Sequence, residues 1–588
     1  RWWWKAGIAA VLAAVLVLGA RHLLFRSSAP RLIPAPPVIA VLLFKNLGQP
    51  ADQYFADGLT EEITSRLAGM AAIAVISRTS ADQYRNTRKP LRQVGRELGA
   101  AYLLEGSVRW DRSAPGEGGR GKVRVTPQLI RVTDDIHLWA QAYDAELAEV
   151  LKLQTTIAER VAGALEVRLA APERAALEEG GTNDPDAYDF YLRGNEYLGR
   201  GNSGATLAAA RDLYEKSVAR DPRFALAWAR LSLAHIYIFW HGHDRTPARI
   251  ALAKRAADSA FALAPTMAEA QIALGYYYYR GHRDYGRALE HFEAARRRQP
   301  NNADLLAGIG LVQGRQGRWD EAIAALSEAV RRDPRSNLRA FNLGSTLSAA
   351  RRFPEAEREL GRAITLAPDW GSPYAETAQV YLAWRGDLVA ARGVLAEGVK
   401  RIGLGQFAQS LISNDQTAGT IFTSDTASWP LMDGLTLQSF VGDTLRYYYL
   451  KAENARFRGL VAAERAYADS LRVLLELRQR RRPEDPYPYS WLGIAYAALG
   501  RKADAIAAGR RAVELMPVSR DALVGPYLVA TLARTYMLAD EPELAIETLA
   551  PLLDIPSPIT REALRADPVW TPLREHPRFR ALVQGEGR

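Results

Sequence analysis

The chain of 588 residues contains no cysteine and only 5 methionine and 8 histidine residues. The absence of cysteine excludes a disulfide framework, a catalytic thiolate and a zinc–thiolate site. It fits a reducing and an oxidising compartment equally well. The sequence also lacks a Walker loop, a nucleophile elbow and a protein-kinase signature. We therefore expect no catalytic residue, no metal and no cofactor within these residues.

The charge balance is basic, with 76 Lys and Arg residues against 66 Asp and Glu residues and a formal net charge of +10. Arginine clusters at Arg296–Arg298, Arg331–Arg332 and Arg480–Arg482 lie near the ends of predicted helices. A cation is favourable there because it meets the negative end of the helix dipole. A binding surface for acidic partners is the alternative. No basic stripe with interleaved aromatic residues is evident, so we expect no nucleic-acid binding.

Two copies of one pattern occupy the middle of the chain, and Pro300, Pro334 and Pro368 close successive units of 34 residues. Small residues recur at the same offset, as Gly310 and Gly344 do, where two helix backbones would approach closely. The spacing of apolar residues predicts two short helices in each unit. Because one unit cannot bury its own apolar stripe, neighbouring units are expected to stack. The unit that ends at Pro300 is one residue longer.

This pattern resembles the tetratricopeptide repeat family, whose fold is an all-α solenoid. Similar units extend in both directions, so we predict repeats over 187–400 and again over 446–588, where the chain ends in an amphipathic cap. Residues 401–445 lose the pattern and are rich in Gly, Ser, Thr and Asp, which indicates a divergent insertion. The resemblance implies protein or peptide partners and is weak evidence for any particular function.

The groove of such a solenoid is the predicted binding surface. Aromatic side chains are candidate peptide anchors there, although core packing explains several of them equally well. Arg339 and Asn342 are weakly similar to the carboxylate clamp of some family members. The candidate residues are Tyr276, Tyr277, Tyr279, Arg339, Asn342, Trp384, Tyr447 and Tyr449.

The amino-terminal 25 residues predict a single membrane-spanning helix. Trp2–Trp4 and Lys5 precede the uncharged run Ala6–Ala20. Fifteen helical residues span roughly 22 Å, so the tryptophans and Lys5 are needed to reach membrane thickness. A cleaved signal peptide and a buried helix are the alternatives. Residues 26–37 form a Pro-rich linker. Because the chain starts at Arg1, we expect it to continue a longer product.

Residues 38–170 predict an α/β domain with a mixed sheet and flanking helices, followed by a linker over 171–186. Strand-like and helix-like segments alternate first and then give way to a meander of strands. The predicted strands are Val38–Phe44, Ile73–Ile76, Ala101–Val108, Lys122–Val132 and Ile136–Tyr143. The predicted helices are Thr60–Leu67, with Thr60 as its N-cap, Leu91–Leu98 and Glu149–Leu169.

This domain resembles the TolB-like amino-terminal domain over about 130 residues, as the runs YFADGLTEEITSRL (54–67), RKPLRQVGRELGAAYLLEGSVR (88–109) and HLWAQAYD (137–144) illustrate. The resemblance implies a bacterial signalling protein in which an anchor, this domain and repeats follow an upstream effector. A serine/threonine kinase is the first expectation, and an adenylate cyclase or a winged-helix regulator is the alternative. The family carries no established catalytic residues.

The resemblance implies a non-catalytic sensory and protein-interaction region. It would be held in the inner membrane by residues 1–25, with the bulk of the chain outside the cytoplasm. A stand-alone anchored or secreted scaffold is the alternative function, and self-association is a further expectation.

Two motifs have a chemical alternative. Gly116, Gly118 and Gly121 match a dinucleotide-binding pattern, but they join two predicted strands and open no helix, so we interpret them as a hairpin loop. A second hypothesis is a metal site formed by His235, His241, His243 and Asp244.

Overall fold

The computed structural model describes residues 36–585, except for 112–121, 147–148, 170, 177–178, 413–415 and 441–442. The predicted membrane anchor (1–25) and the glycine loop (116–121) lie outside the described residues. Among the helices that the structure does describe, none has the length and apolar character needed to span a bilayer. Residues from Val38 onward form one compact unit.

A mixed sheet of seven strands stands at the amino-terminal side of this unit, with the order β3-β1-β4-β5-β6. β1 is parallel to β3 and β4, whereas β4 and β5 form a long antiparallel pair. β2 adds to β4, and β7 adds to β5. The predicted small mixed sheet is therefore confirmed. The strands are Val38–Val41 (β1), Lys45–Asn46 (β2), Ala74–Ile76 (β3), Tyr102–Asp111 (β4), Lys122–Arg131 (β5), Ile136–Ala140 (β6) and Tyr143–Glu146 (β7).

Helices cover both faces of the sheet because β1 alternates its side chains between them. Ile39 and Val41 face α1 and α4, while Ala40 packs in a separate apolar cluster with residues of α3. The helices of this part are Gln53–Ala68 (α1), Arg78–Asp82 (α2), Leu91–Leu98 (α3), Val150–Ala164 (α4) and Ala171–Ala176 (α5).

Three sequence-based boundaries are wrong, and Thr60 explains two of them. α1 starts at Gln53, so Thr60 is no N-cap; its hydroxyl donates to Ala56 O (2.8 Å) in mid-helix. The same oxygen accepts the N–H of Phe44 (3.1 Å), which draws Phe44 out of the ladder and ends β1 at Val41. The predicted strand Ile136–Tyr143 is two strands, each paired with β5.

Stacked helix pairs form the rest of the unit. α12 and α14 start 34 residues apart (337 − 303), as the proline spacing predicts. The helices of the first half are Pro185–Gly199 (α6), Gly204–Arg220 (α7), Ala225–Trp240 (α8), Pro247–Leu263 (α9), Ala268–Tyr276 (α10), Tyr285–Arg296 (α11), Ala303–Arg315 (α12), Trp319–Arg332 (α13), Asn337–Ala349 (α14), Phe353–Leu366 (α15), Gly371–Arg385 (α16) and Leu388–Ile402 (α17).

The second half continues after a set of short helices. Its elements are Leu404–Phe407 (α18), Thr417–Thr423 (α19), Trp429–Asp433 (α20), Thr444–Phe457 (α21), Val461–Arg481 (α22), Pro486–Ala498 (α23), Lys502–Leu515 (α24), Gly525–Leu538 (α25), Pro542–Leu549 (α26), Arg561–Ala566 (α27) and Pro577–Gln584 (α28). Short 3₁₀ segments at Ala550–Asp554 and Pro568–Leu573 lie between the last helices, where Trp570 and Phe579 are buried.

Gly310 shows why small residues recur in the repeats. A methyl group on Gly310 would lie 2.7 Å from Leu326 Cγ and 2.9 Å from the carbonyl oxygen of Ala322. Both atoms belong to the partner helix α13, so a side chain would force the pair apart. The predicted close approach of the two helices is confirmed.

The sheet and the first repeats share one hydrophobic core, which contains Phe55 of α1 and Tyr191 of α6. Buried hydrogen bonds join the two parts as well. Tyr191 Oη donates to Glu62 Oε1 (2.8 Å), and Asn301 Nδ2 donates to the carbonyl oxygen of Ile73 (2.7 Å). Ser80 Oγ of α2 donates to Asp333 Oδ1 (2.6 Å) at the end of α13. The sheet thus packs against the repeats from α6 to α13.

The insertion 401–445 is folded into the second half. Its residues Phe407 and Ile421 are fully buried beside Tyr449 of α21. A buried ion pair adds to this packing, because Arg534 Nη2 of α25 donates to Glu453 Oε1 (2.5 Å). The insertion therefore fills the space between repeat helices.

Arg351 fixes the carboxyl-terminal cap. It occupies the turn after α14 with φ +60°, where the preceding unit has Gly317 at φ +75°. Its guanidinium donates to four backbone carbonyls: Leu552 O (3.1 Å), Leu553 O (2.8 Å), Ser557 O (2.9 Å) and Ile559 O (2.9 Å). A residue that departs from the repeat pattern thus holds the segment after α26.

We predict that Arg351→Gly destabilises the chain by about 1–3 kcal/mol, because four charge-assisted hydrogen bonds are lost while the left-handed backbone becomes easier to adopt. Urea denaturation measures the free energy of unfolding, and hydrogen exchange should show loss of protection after residue 550. Arg352→Ala removes only an exposed ion pair and should change stability by no more than about 0.5 kcal/mol. Equal effects of the two substitutions would contradict the assigned role of Arg351.

Candidate functional site: a basic cleft between the two halves

Asp521 joins the two halves of the repeat array. Its carboxylate is 1% exposed and accepts the Tyr285 hydroxyl (2.6 Å) and the Arg315 guanidinium (3.2 Å) from the first half. It also accepts the backbone N–H of Val524 (2.9 Å) just before α25. Next to it, Ala522 N donates to Arg315 O (2.8 Å). This contact brings α11 and α12 against the segment between α24 and α25.

A π-helical segment, Tyr277–His282, lies beside this contact. It follows α10 directly and ends at Arg283, which has φ +54°. The wider π turn accommodates the one extra residue of this repeat unit, and such turns are frequent at functional sites. The segment turns the side chains of Tyr279 and Arg280 toward the second half.

The basic cleft lies between the two halves and has a volume of about 720 Å³. Nine arginines line it against two carboxylates, those of Glu484 and Asp485. Aromatic side chains from both halves contribute, and Trp240 and Trp491 are among them. The nine arginines are Arg245, Arg280, Arg283, Arg315, Arg446, Arg478, Arg481, Arg482 and Arg520.

Most of this positive charge is not neutralised by the described residues. Three of the nine arginines have carboxylate partners, namely Arg315 with Asp521, Arg446 with Asp443 and Arg482 with Asp485. For the other six, no carboxylate within the described ranges lies within 4.0 Å. Because like charges concentrated at low dielectric repel one another, such a cluster favours an anionic ligand.

Aromatic rings hold several of these guanidinium groups in place. Arg280 lies over the rings of Tyr276 (4.7 Å) and Tyr237 (4.8 Å). Across the cleft, Arg482 lies over Phe239 (5.4 Å). Burial, with Arg478 and Arg482 nearby, lowers the pKa of Arg245. The cleft is therefore positively charged and has guanidinium groups ordered by cation–π contacts.

A second depression, which we call the side groove, adjoins the cleft and has a volume of about 870 Å³. The two share four lining residues: His282, Arg283, Tyr285 and Arg520. The side groove adds Lys254, Arg287 and Arg318 and one carboxylate, Asp284. Cleft and groove together form a continuous basic path.

The structure places two of the predicted groove residues in this path. Tyr279 lines the cleft and Tyr277 lines the side groove, where its hydroxyl hydrogen-bonds His282 Nε2 (2.8 Å). Tyr276 is 8% exposed and packs edge-on against Phe292 inside the repeat core. Tyr449 is 2% exposed and takes part in the Arg534 network.

The remaining four predicted residues, Arg339, Asn342, Trp384 and Tyr447, do not line the cleft or the side groove. Arg339 forms ion pairs with Asp304 and Asp333, so its guanidinium is already neutralised. Asn342 is half-buried on α14. Trp384 lies beneath Arg385 (3.7 Å), and Tyr447 packs against Phe440 (5.7 Å).

The sequence analysis missed most of the arginines of the cleft. Of the clusters it noted, Arg480–Arg482 lies at the end of α22 as expected, and Arg481 and Arg482 also line the cleft. Arg245, Arg280 and Arg283 gave no sequence signal because they come from a loop and an irregular helix far from α22 in the chain.

The histidines of the metal hypothesis are not brought together. His235 is 2% exposed, and its Nδ1 faces the Arg249 guanidinium (2.9 Å). Asp244 pairs with the same arginine (2.9 Å), while His243 Nε2 contacts Asn202 O (2.8 Å). No group of three potential ligands in the described part of the chain is arranged to hold a metal ion.

Comparison with known proteins identifies the repeats. The sequence profile of the tetratricopeptide repeat family matches residues 277–337, 308–373 and 454–519. The chain therefore contains tetratricopeptide repeats in both halves, and the resemblance to that family is confirmed. A protein of Rhizobium meliloti (strain 1021), whose name gives adenylate cyclase as its proposed activity, is 36% identical over 236 residues. The match spans 39% of this chain and 39% of that relative.

Solved structures of repeat proteins are similar at low identity. A thermophilic tetratricopeptide repeat protein of Thermus thermophilus is 19% identical, with a TM-score of 0.29, over 33% of this chain and 99% of its own. The type IV pilus biogenesis factor PilW is 16% identical (TM-score 0.33; 39% and 100%). The human IFIT1 dimer with PPP-AAAA is 17% identical (TM-score 0.34; 63% and 79%). Because all three TM-scores are below 0.5, their functions are not transferred to this chain.

We predict that Asp521→Asn destabilises the chain by about 3–5 kcal/mol, because it leaves the Arg315 guanidinium buried without a counter-charge. Tyr285→Phe removes one hydrogen bond and should cost about 1–2 kcal/mol. Urea denaturation measures both, and small-angle scattering should show expansion of the Asp521→Asn variant. A cost below about 1 kcal/mol with unchanged scattering would show that Asp521 does not hold the halves together.

Stability should also depend on His235 below neutral pH. Burial, with Arg249 nearby, lowers the pKa of His235 from 6.5 to about 3. The unfolded chain therefore takes up this proton between pH 6.5 and 3 while the folded chain does not, so this contribution is complete above 6.5 and is lost as the pH falls. We predict that His235→Asn, whose Oδ1 can replace Nδ1, flattens the decline by up to about 1.4 kcal/mol per pH unit.

Urea denaturation between about pH 6.5 and 5 measures this slope. The exposed His137, replaced by Asn, is the matched control because its substitution removes no buried ring. An unchanged slope in His235→Asn would mean that His235 is not neutral in the folded chain.

Proposed function

We propose that this chain is the non-catalytic interaction region of a bacterial signalling protein, in which a partner protein or peptide binds the basic cleft. The observation that carries the proposal is a cleft of about 720 Å³ between two arrays of tetratricopeptide repeats, lined by aromatic and arginine side chains. Aromatic residues and arginine are the side chains that contribute most to protein–protein binding energy.

The sheet with its flanking helices supports a role in positioning the cleft. Because it shares a core with α6 and contacts α13, a displacement of the sheet would be passed to the repeats. The resemblance to the TolB-like domain stays a prediction. In this proposal the sheet domain transmits binding in the cleft toward the membrane side of the protein.

The effector in the proposal is an adenylate cyclase that lies outside the residues of this chain. The sequence-based expectation put a serine/threonine kinase first. The name of the Rhizobium meliloti relative favours the cyclase among the effectors that the resemblance implies. Because the match spans about two fifths of that relative, its activity is proposed for a longer protein and not for the residues described above.

Localisation in the inner membrane, through residues 1–25 with the rest of the chain outside the cytoplasm, belongs to the same proposal. The apolar run Ala6–Ala20 and the adjacent tryptophans support it. A stand-alone scaffold for envelope complexes is the alternative function, and the large cleft would serve it equally.

We predict that a photo-crosslinking residue in the cleft captures a specific partner in living cells. Trp240 is half-buried and lines the cleft, so p-benzoylphenylalanine in its place keeps an aromatic ring at that position. Crosslinked products of the full chain are identified by mass spectrometry. We expect one dominant envelope protein.

Trp384 provides the matched control because it is also half-buried but does not line the cleft. The same crosslinker there should capture no partner. Capture from Trp384 alone, or from neither position, would contradict binding in the cleft. A dominant partner that resides only in the cytoplasm would contradict the proposed orientation in the membrane.

A further inference from the structure

The chemistry of the basic path indicates what kind of partner segment it accepts. Twelve arginine and lysine side chains line the cleft and the side groove together, against the three carboxylates Asp284, Glu484 and Asp485. Because the two depressions share lining residues, the space is elongated and continuous. An elongated space suits an extended chain, whereas a compact molecule would fill only one of the two depressions.

The aromatic rings of the path are already in contact with side chains of the protein. Trp240 is covered by Arg280 (5.6 Å), Tyr487 by Arg283 (5.7 Å) and Phe239 by Arg482. In the side groove, Tyr278 stacks on His291 (ring centroids 5.5 Å apart). Proteins that bind single-stranded nucleic acid use open aromatic faces for base stacking, and the rings named here do not offer them.

The arginines keep their N–H edges for a ligand. A guanidinium stacked on a ring still presents its in-plane donors, and these match a carboxylate in bidentate geometry. Arg478 and Arg481 are exposed on α22, one helical turn apart, and neither has a carboxylate partner among the residues that the structure describes. Their spacing on one helix face places two donors side by side along the cleft.

We propose that the basic path binds an acidic peptide segment of the partner protein in an extended conformation, with Asp and Glu carboxylates on Arg478, Arg481 and the other unpaired arginines. This inference rests on the proposed function and adds the charge and conformation of the bound segment. Charge complementarity decides for this occupant, since the path carries a large excess of cations.

The test measures binding of the full chain to a fluorescein-labelled peptide of about ten residues in which Glu alternates with Ala, which spans roughly 30 Å when extended. The comparison probes are the same peptide with Gln for Glu and an oligothymidylate of equal charge. Fluorescence anisotropy gives the affinities at two salt concentrations. We expect the acidic peptide to bind best, and its affinity to fall as salt rises.

We predict that the double variant R478Q/R481Q weakens binding of the acidic peptide about tenfold, since two charge-assisted contacts are lost. The matched control is R465Q/R480Q, which removes two charges from exposed positions of the same helix that do not line the path. The control should weaken binding by less than about twofold. Unchanged thermal melting of both variants shows that folding is intact.

Equal loss in both variants, or no loss in either, would overturn the inference. Tighter binding of the oligothymidylate would replace the peptide by a nucleic acid. Self-association that R478Q/R481Q abolishes would make a second copy of the chain the occupant. If crosslinking from Trp240 succeeds while the acidic peptide fails to bind, the proposed function stands and this inference is wrong; if both fail, the function itself is wrong.

Discussion

The buried carboxylate of Asp521 is the constraint on which the arrangement of the repeats depends. Transfer of this charge out of water is costly, and the cost is offset only by a complete set of donors. Arg315 and Tyr285 supply donors from one half of the array, and backbone N–H groups before α25 supply the others. Since the donors come from both halves, the carboxylate is satisfied only when the halves are together. The cleft exists because this requirement is met.

Charge in the cleft works against folding, which indicates that it serves another purpose. Six arginines without carboxylate partners repel one another, and the rings beneath them offset only part of that repulsion. The chain tolerates this because its cores are extensive elsewhere, as the fully buried Phe407 and Phe292 show. A local arrangement that opposes stability, within a scaffold that is otherwise well packed, is typical of a binding site.

Local pattern explains what the sequence predicted well. The 34-residue spacing predicted where α12 and α14 start, because Gly310 and its equivalent must be small for the helices to pack. The extra residue before Pro300 was visible, but its outcome as a π turn was not. The contact of Arg315 with Asp521 joins residues 206 positions apart, and no periodicity encodes such a contact. Arg351 was noted only as a departure from the pattern, since a left-handed arginine that binds the cap has no signature in one sequence. The cleft was missed for the same reason.

The shared core between the sheet and α6 bears on how such proteins can be recombined. Sequence similarity marks a border near residue 187, but the Tyr191 hydroxyl reaches across it to Glu62, and Phe55 packs in the same core. A gene fusion cut at that border would leave a tyrosine without its acceptor and an apolar surface open to aggregation. The unit that evolution or an engineer can exchange intact is therefore the sheet together with its first helix pairs, and grafting onto foreign repeats requires a matched tyrosine and glutamate on the two sides.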